Sequence, residues 1–256
     1  MKIIGILGEA GSGKDTAGQF LVQECGAYSI ALADPLKLFC MWMFKWSSDQ
    51  LWGPSERRNE PDPGYPFYRC PSCGFHWPDT ATEVVSAEMD KRDSYICPIC
   101  YGERVPAEWR ANFSPRFALQ DLGTEWARYF YRNCHIDFAL KRAWAVESGI
   151  EFDPLYPVLP VNVREARCAE MGVCPSLVYV SDCRFRNEVT AIQGAGGKVY
   201  RIVREQKDDN TTTGLPNHAS EVEQLEIKDE DLDGIITNTG TLDALRERVK
   251  GLIAES

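Results

Sequence analysis

At 256 residues, 44% of them hydrophobic, the chain can bury a substantial core and fits one α/β domain with an insertion or two modest domains. A net charge of −10 argues against the broad positive surface that non-specific nucleic-acid binding requires. No apolar run approaches the roughly 20 residues that span a bilayer, and no charged-then-apolar leader opens the chain, so a cytoplasmic location is expected.

Residues 2–7 read as a buried strand and 14–25 as a helix with Ala17, Phe20 and Leu21 on its apolar face. Between them lies Gly8-Glu9-Ala10-Gly11-Ser12-Gly13-Lys14-Asp15-Thr16, which matches the phosphate-binding loop pattern except that Asp15 stands where Ser or Thr is usual. Glycines there let successive N–H groups turn inward as an anion nest, the helix adds the positive end of its dipole, and the Lys14 ammonium reaches the outer phosphates. Gly11, Ser12, Gly13, Lys14, Asp15 and Thr16 are therefore the expected holders of ATP, with Asp15 or Thr16 placing Mg²⁺. The competing reading is an ordinary glycine-rich turn from strand to helix.

Ser29–Ala33 reads as a second strand, and Asp34-Pro35 opens a helix so apolar on all sides that it should be mostly buried. Composition shifts to Pro, Gly, Arg and Glu between Trp52 and Pro66, which marks a boundary before a cysteine-bearing insertion at 66–108. The expected domains are thus 1–65 with 109–256, and 66–108. Helical periodicity returns at Pro115–Tyr131 and Ile136–Glu147, and a Pro-rich connection leads to a helix at 162–171. A strand at 177–182 stops at Asp182. A helix at 187–194, a strand at 198–203, a mobile polar stretch at 205–217, a strand at 234–237 and a helix at 241–254 follow. The acidic run from Glu221 to Asp233 reads as a solvated face. Strands alternating with helices imply a parallel sheet with right-handed crossovers.

Of ten cysteines, four form two Cys-x-x-Cys knuckles, Cys70/Cys73 and Cys97/Cys100, each followed by glycine directly or after one residue. Four thiolates satisfy a tetrahedral Zn²⁺ and leave no open position, so the expected metal is structural and supplies folding energy to a small insertion. Redox dithiols or plain buried thiols are the alternatives. Cys25, Cys40, Cys134, Cys168, Cys174 and Cys183 read as structural.

Three further segments bear on what accepts the phosphoryl group: Ser114-Pro115-Arg116 with Gly123-Thr124, Ser181-Asp182-Cys183-Arg184-Phe185-Arg186-Asn187-Glu188, and His218-Ala219-Ser220-Glu221. Together with Gly13-Lys14-Asp15-Thr16 and Ala33-Asp34-Pro35-Leu36-Lys37, they make the chain resemble the phage deoxynucleoside monophosphate kinases, a branch of the P-loop nucleotide kinases that carries Asp at position 15. The resemblance spans most of the chain outside 50–110. It implies a P-loop kinase-type parallel sheet flanked by helices, with the zinc-ribbon insertion added to it. It also implies transfer of the ATP γ-phosphoryl group to a deoxynucleoside monophosphate, with Arg116, Gly123, Thr124, Asp182, Arg184 and Glu188 at acceptor positions. Asp34 and Lys37 stand where nucleotide kinases begin their acceptor-binding helix, and Arg204 is a candidate lid residue. Lys14, Arg116, Arg184 and Asp182 are the expected catalytic set, and Arg128 and Arg186 read better as surface ion pairs. A kinase for another small phosphorylated acceptor, or a nucleotide-binding module whose zinc ribbon docks on DNA or a replication partner, are the rival readings. A homodimer is left open.

Overall fold

The computed structural model describes residues 2–9, 11–70, 76–78, 94–95, 100, 105–106, 110–147, 155–168, 175–204 and 219–254. Cys73, Cys97, His218 and the stretch 205–217 lie outside the described residues. In chain order the described strands are β1 (Lys2–Leu7), β2 (Tyr28–Ile30), β3 (Pro66–Arg69), β4 (His76–Pro78), β5 (Ser94–Tyr95), β6 (Val105–Pro106), β7 (Arg110–Asn112), β8 (Leu177–Val180), β9 (Lys198–Val203) and β10 (Gly234–Thr237). The first two helices are α1 (Lys14–Cys25) and α2 (Asp34–Phe44). The chain divides into two compact units, Met1–Phe39 with Asp121–Ser256, and Cys40–Gln120.

The first unit is built on a five-stranded sheet in the order β10-β9-β1-β8-β2, with every pairing parallel. Period-two alternation in β1 divides its core. Ile3 and Leu7 point into one cluster with Ile136, Ala139 and Ala143 of the helix Cys134–Glu147 and Val189 and Ile192 of the helix Arg186–Gly194. Ile4 and Ile6 point into the other, against Ala17, Phe20 and Leu21 of α1 and Leu245 and Val249 of the helix Leu242–Ala254. Helices therefore cover both faces, which is why these strands read as continuous apolar runs. At Gly18 the missing Cβ is used: it would stand 2.3 Å from the ring of Tyr179, so α1 lies directly on that side chain.

The order has a consequence for function. The chain leaves β1 toward β2 and β8 on one side and reaches β9 and β10 on the other, so the strand order reverses at β1. In open parallel sheets ligands bind at the carboxyl ends of the strands beside such a reversal. Gly8–Thr16 follows β1, Asp34 follows β2, Asp182 follows β8, Arg204 follows β9 and Asn238 follows β10. All five sit on that edge.

The second unit is wider than the expected 66–108. Its flanks carry their own aromatic core: the Phe44 ring is 4.5 Å from Trp46, 5.1 Å from Tyr65 and 5.9 Å from Phe113, which in turn meets Phe117 at 5.1 Å. Trp46 Nε1 donates to Asp62 at 2.6 Å and the Tyr65 hydroxyl donates to the Phe44 carbonyl at 2.8 Å. That cluster draws 40–65 and 110–120 together. β3 pairs antiparallel with β4 and β7, and β5 pairs antiparallel with β6.

Several elements differ from expectation. α2 buries Leu38 and Cys40 but leaves Trp42 60% exposed and Met43 57% exposed, so it is not the all-round buried helix its composition suggests. Pro115–Tyr131 is interrupted: Asp121–Ala127 is π-helical, between α-helical Pro115–Gln120 and Arg128–Phe130. The helix expected at 162–171 is the short Val161–Glu165. The acidic stretch holds a helix, Ala219–Glu226, in which Gln224 is buried while Leu225 is exposed, and Ile227 just beyond it is buried.

Candidate functional site

The phosphate loop takes the shape its glycines permit. Gly11 has φ 78° and Gly13 φ 99°, both in the left-handed region closed to most side chains, and a Cβ on Gly13 would sit 2.3 Å from the Asn238 amide. Gly13 caps α1 without a side-chain hydrogen bond, so the first amides of the helix stay available to an anion. Lys14 Nζ donates to the Glu9 carbonyl at 3.3 Å and Arg204 Nη1 approaches the Gly11 carbonyl at 3.5 Å. The Ser12 hydroxyl is buried and has no hydrogen-bond partner among the described residues.

This loop forms one wall of a cavity of about 660 Å³ that also takes in Arg204 and the segment Asn238–Leu242. Asn238 Nδ2 donates to the Ser12 carbonyl at 2.8 Å and so ties the end of β10 to the loop. Sequence reading gave Asn238, Thr239 and Thr241 no role; the available signal was a polar Asn-Thr-Gly-Thr run directly after an apolar strand.

At the ends of β2 and β8 the carboxylates bind protein. Asp182 accepts from the amides of Leu32 at 2.7 Å and Ala33 at 3.3 Å. Asp34 is fully buried, with one oxygen 2.6 Å from Arg167 Nη2 and the other 3.4 Å from Arg142 Nη2, and Arg142 also donates to the Ala31 carbonyl at 3.2 Å. The turn 31–34 is thus held by Asp182 and by two buried guanidiniums, and Lys37 follows it one helical turn into α2.

Glu188 is likewise enclosed. Its side chain is 1% exposed and pairs with Arg128, which is 13% exposed, so Arg128 is no surface partner. The other Glu188 oxygen accepts from the amides of Arg184 at 2.7 Å and Phe185 at 3.1 Å, and the Arg128 guanidinium lies 3.7 Å over the Phe185 ring. Burial pushes the Glu188 carboxyl above the usual range, against the pull of Arg128 and the two amides. Arg186, by contrast, is the expected surface ion pair, 3.0 Å from Asp231.

Gly123 and Thr124 sit in the π-helical turn. A Cβ on Gly123 would meet Leu36 Cδ1 at 2.9 Å, and its carbonyl lies 3.2 Å from His135 Nε2. Burial depresses the His135 pKa, against the pull of its bond to the Gly123 carbonyl and with a smaller push from Arg128. The unfolded chain binds this proton first, so the folded state loses stability as pH falls below about 6.5. Urea midpoints measured against pH should show that loss, and His135→Gln should shrink it.

Arg116 belongs to the second unit, where its Nη2 and that of Arg58 meet the Ser55 hydroxyl at 3.2 and 3.3 Å. Cys70 and Cys100 bring their sulfurs to 3.6 Å of each other across 30 residues of sequence. Among the described residues no group of three or more His, Cys, Asp or Glu is placed to hold a metal. No helix among them is long and apolar enough to cross a membrane.

A parallel α/β sheet with a glycine loop and a helix start at its point of strand reversal is what the fold and site define. No protein-family model matches the chain. It is 24% identical over 249 residues, 97% of its own length and 94% of the relative's, to a protein of Acanthamoeba polyphaga mimivirus named "Putative deoxynucleotide monophosphate kinase". Among solved structures, the dephospho-CoA kinase from Campylobacter jejuni aligns over 99% of this chain and 96% of that one, with 12% identity and a TM-score of 0.33.

Proposed function

We propose that the chain is an ATP-dependent kinase that passes the γ-phosphoryl group to a deoxynucleoside 5′-monophosphate. The observation that carries the reading is the phosphate loop itself. Two left-handed glycines, a helix start with no side-chain cap and Lys14 meet on the wall of a nucleotide-sized cavity. The near full-length likeness to the mimivirus protein supports the acceptor class.

In this reading the amides of 11–16 and Lys14 grip the triphosphate, and Asn238 and its neighbours face the nucleoside half of the donor. The reaction spreads negative charge over phosphoryl oxygens, so placed cations and positioning are what the protein supplies. Asp15 and Thr16 offer the hard oxygen ligands that Mg²⁺ prefers and both line the cavity. When bound, the ion neutralises charge on the β- and γ-phosphates. Arg184, Gly123, Thr124 and Lys37 take the acceptor. Arg116 is assigned to the acceptor phosphate on its sequence motif alone. Asp34, Asp182 and Glu188 work as scaffolding for the loops that carry the others.

A structural zinc in the cysteine segment is part of the proposal. Zinc–sulfur bonds of about 2.3 Å put two thiolates of a tetrahedron roughly 3.7 Å apart. The Cys70 and Cys100 sulfurs, one from each knuckle, stand at 3.6 Å. Elemental analysis is expected to find one zinc per chain, and Cys97→Ser to lower both metal content and thermal stability; unchanged zinc in that variant rules the four-thiolate site out.

The activity test is ADP formation from ATP and Mg²⁺ with dTMP, dGMP, dCMP and dAMP in turn. Turnover with at least one is expected. Turnover only with a non-nucleotide phosphorylated acceptor would move the chain to another kinase class, and silence with all would end the proposal.

A further inference from the structure

We infer that His135 is a positioning residue: its imidazole holds the Gly123 carbonyl and so fixes the wide turn that carries Thr124. The consequence for the acceptor rests on the kinase reading above; the fixing of the turn does not.

π-Helical turns are rare, with poorer hydrogen-bond geometry than the α-helix, and they persist where surrounding contacts impose them. Two contacts impose this one. Leu36 of α2 lies against the bare Cα of Gly123, and His135 Nε2 lies 3.2 Å from the Gly123 carbonyl. A carbonyl only accepts, so Nε2 carries the hydrogen in this bond and the neutral ring suffices. His135 itself stands on a rigid base, because Ile136, Ala139 and Ala143 of its helix are buried against the sheet. The charged groups that act on the ring are Arg128, at the end of the same turn, and Asp182.

The arrangement reaches the segment after β8. Arg128 directly follows the π-helical turn and pairs with Glu188, which holds the Arg184 and Phe185 amides. The two sequence segments assigned to the acceptor are therefore joined by Arg128–Glu188, and His135 pins the turn at its Gly123 end.

His135→Gln keeps an N–H donor near the Nε2 position, while His135→Leu keeps bulk and loses the donor. Two readouts separate their effects: amide hydrogen exchange over 121–128, and steady-state kinetics with ATP and the best monophosphate. Expected for His135→Leu are faster exchange in that turn and an acceptor KM raised about tenfold, the loss of one part-buried hydrogen bond, with the ATP Kd within twofold of wild type. His135→Gln should restore most of both. If His135→Leu does not fold, His135→Asn, too short to reach Gly123, replaces it. The inference fails if exchange is unchanged in the donor-less variant, if Gln behaves like Leu, or if ATP affinity falls in step with acceptor affinity. Absence of phosphoryl transfer in the wild type would sink the kinase reading alone, since the exchange result stands without any substrate.

Discussion

Lys14→Ala should lower kcat/KM for phosphoryl transfer at least a hundredfold, the scale on which loss of one preorganised charge-stabilising group is felt (about 10²–10³). Lys14 opens α1 directly after Gly13, whose φ of 99° turns the chain into the helix, and its ammonium already lies at the loop, 3.3 Å from the Glu9 carbonyl. Its side chain is half-buried on the cavity wall and fills no part of either core cluster, so the urea midpoint should move little. A variant with near-normal turnover removes the assigned role; a variant that unfolds makes Lys14 structural.

Asp34→Ala is expected to act in the opposite way, on stability first. Asp34 is the carboxylate placed between two guanidiniums, and Arg142 is itself fully buried. Removing one member of a buried ion pair leaves charge in a low-dielectric site and costs about 3–5 kcal/mol, a large share of the total for a domain. Urea unfolding of Asp34→Ala and Asp34→Asn measures this. If both variants keep the wild-type midpoint and show only a raised acceptor KM, Asp34 touches substrate and the scaffold assignment is wrong.

The contrast between these residues explains what was readable in advance. Lys14 acts through neighbours within a few positions, so loop, glycines and helix are visible as one local pattern. Asp34 acts through Arg142 and Arg167, more than a hundred residues away, and no local spacing records such a pair. Glu188 shows both sides: its reach back to the Phe185 amide is a local helix-start pattern, while its partner Arg128 comes from a different segment whose sequence suggests only a surface ion pair. His135 carried no motif at all, since its partner is a backbone carbonyl on a turn whose π geometry only packing against Leu36 exposes.

By itself the sequence determined the five apolar strands of the main sheet, most of the helices that alternate with them, and the glycine-rich turn from β1 into α1, because side-chain periodicity and glycine freedom are local properties of the chain. Only the tertiary structure decided the strand order that puts the reversal at β1, the burial of Asp34 and Glu188, and the place of Asn238 beside the Gly8–Thr16 loop. Those outcomes depend on which distant segments meet, and that is settled by long-range packing and the need to pair every buried charge.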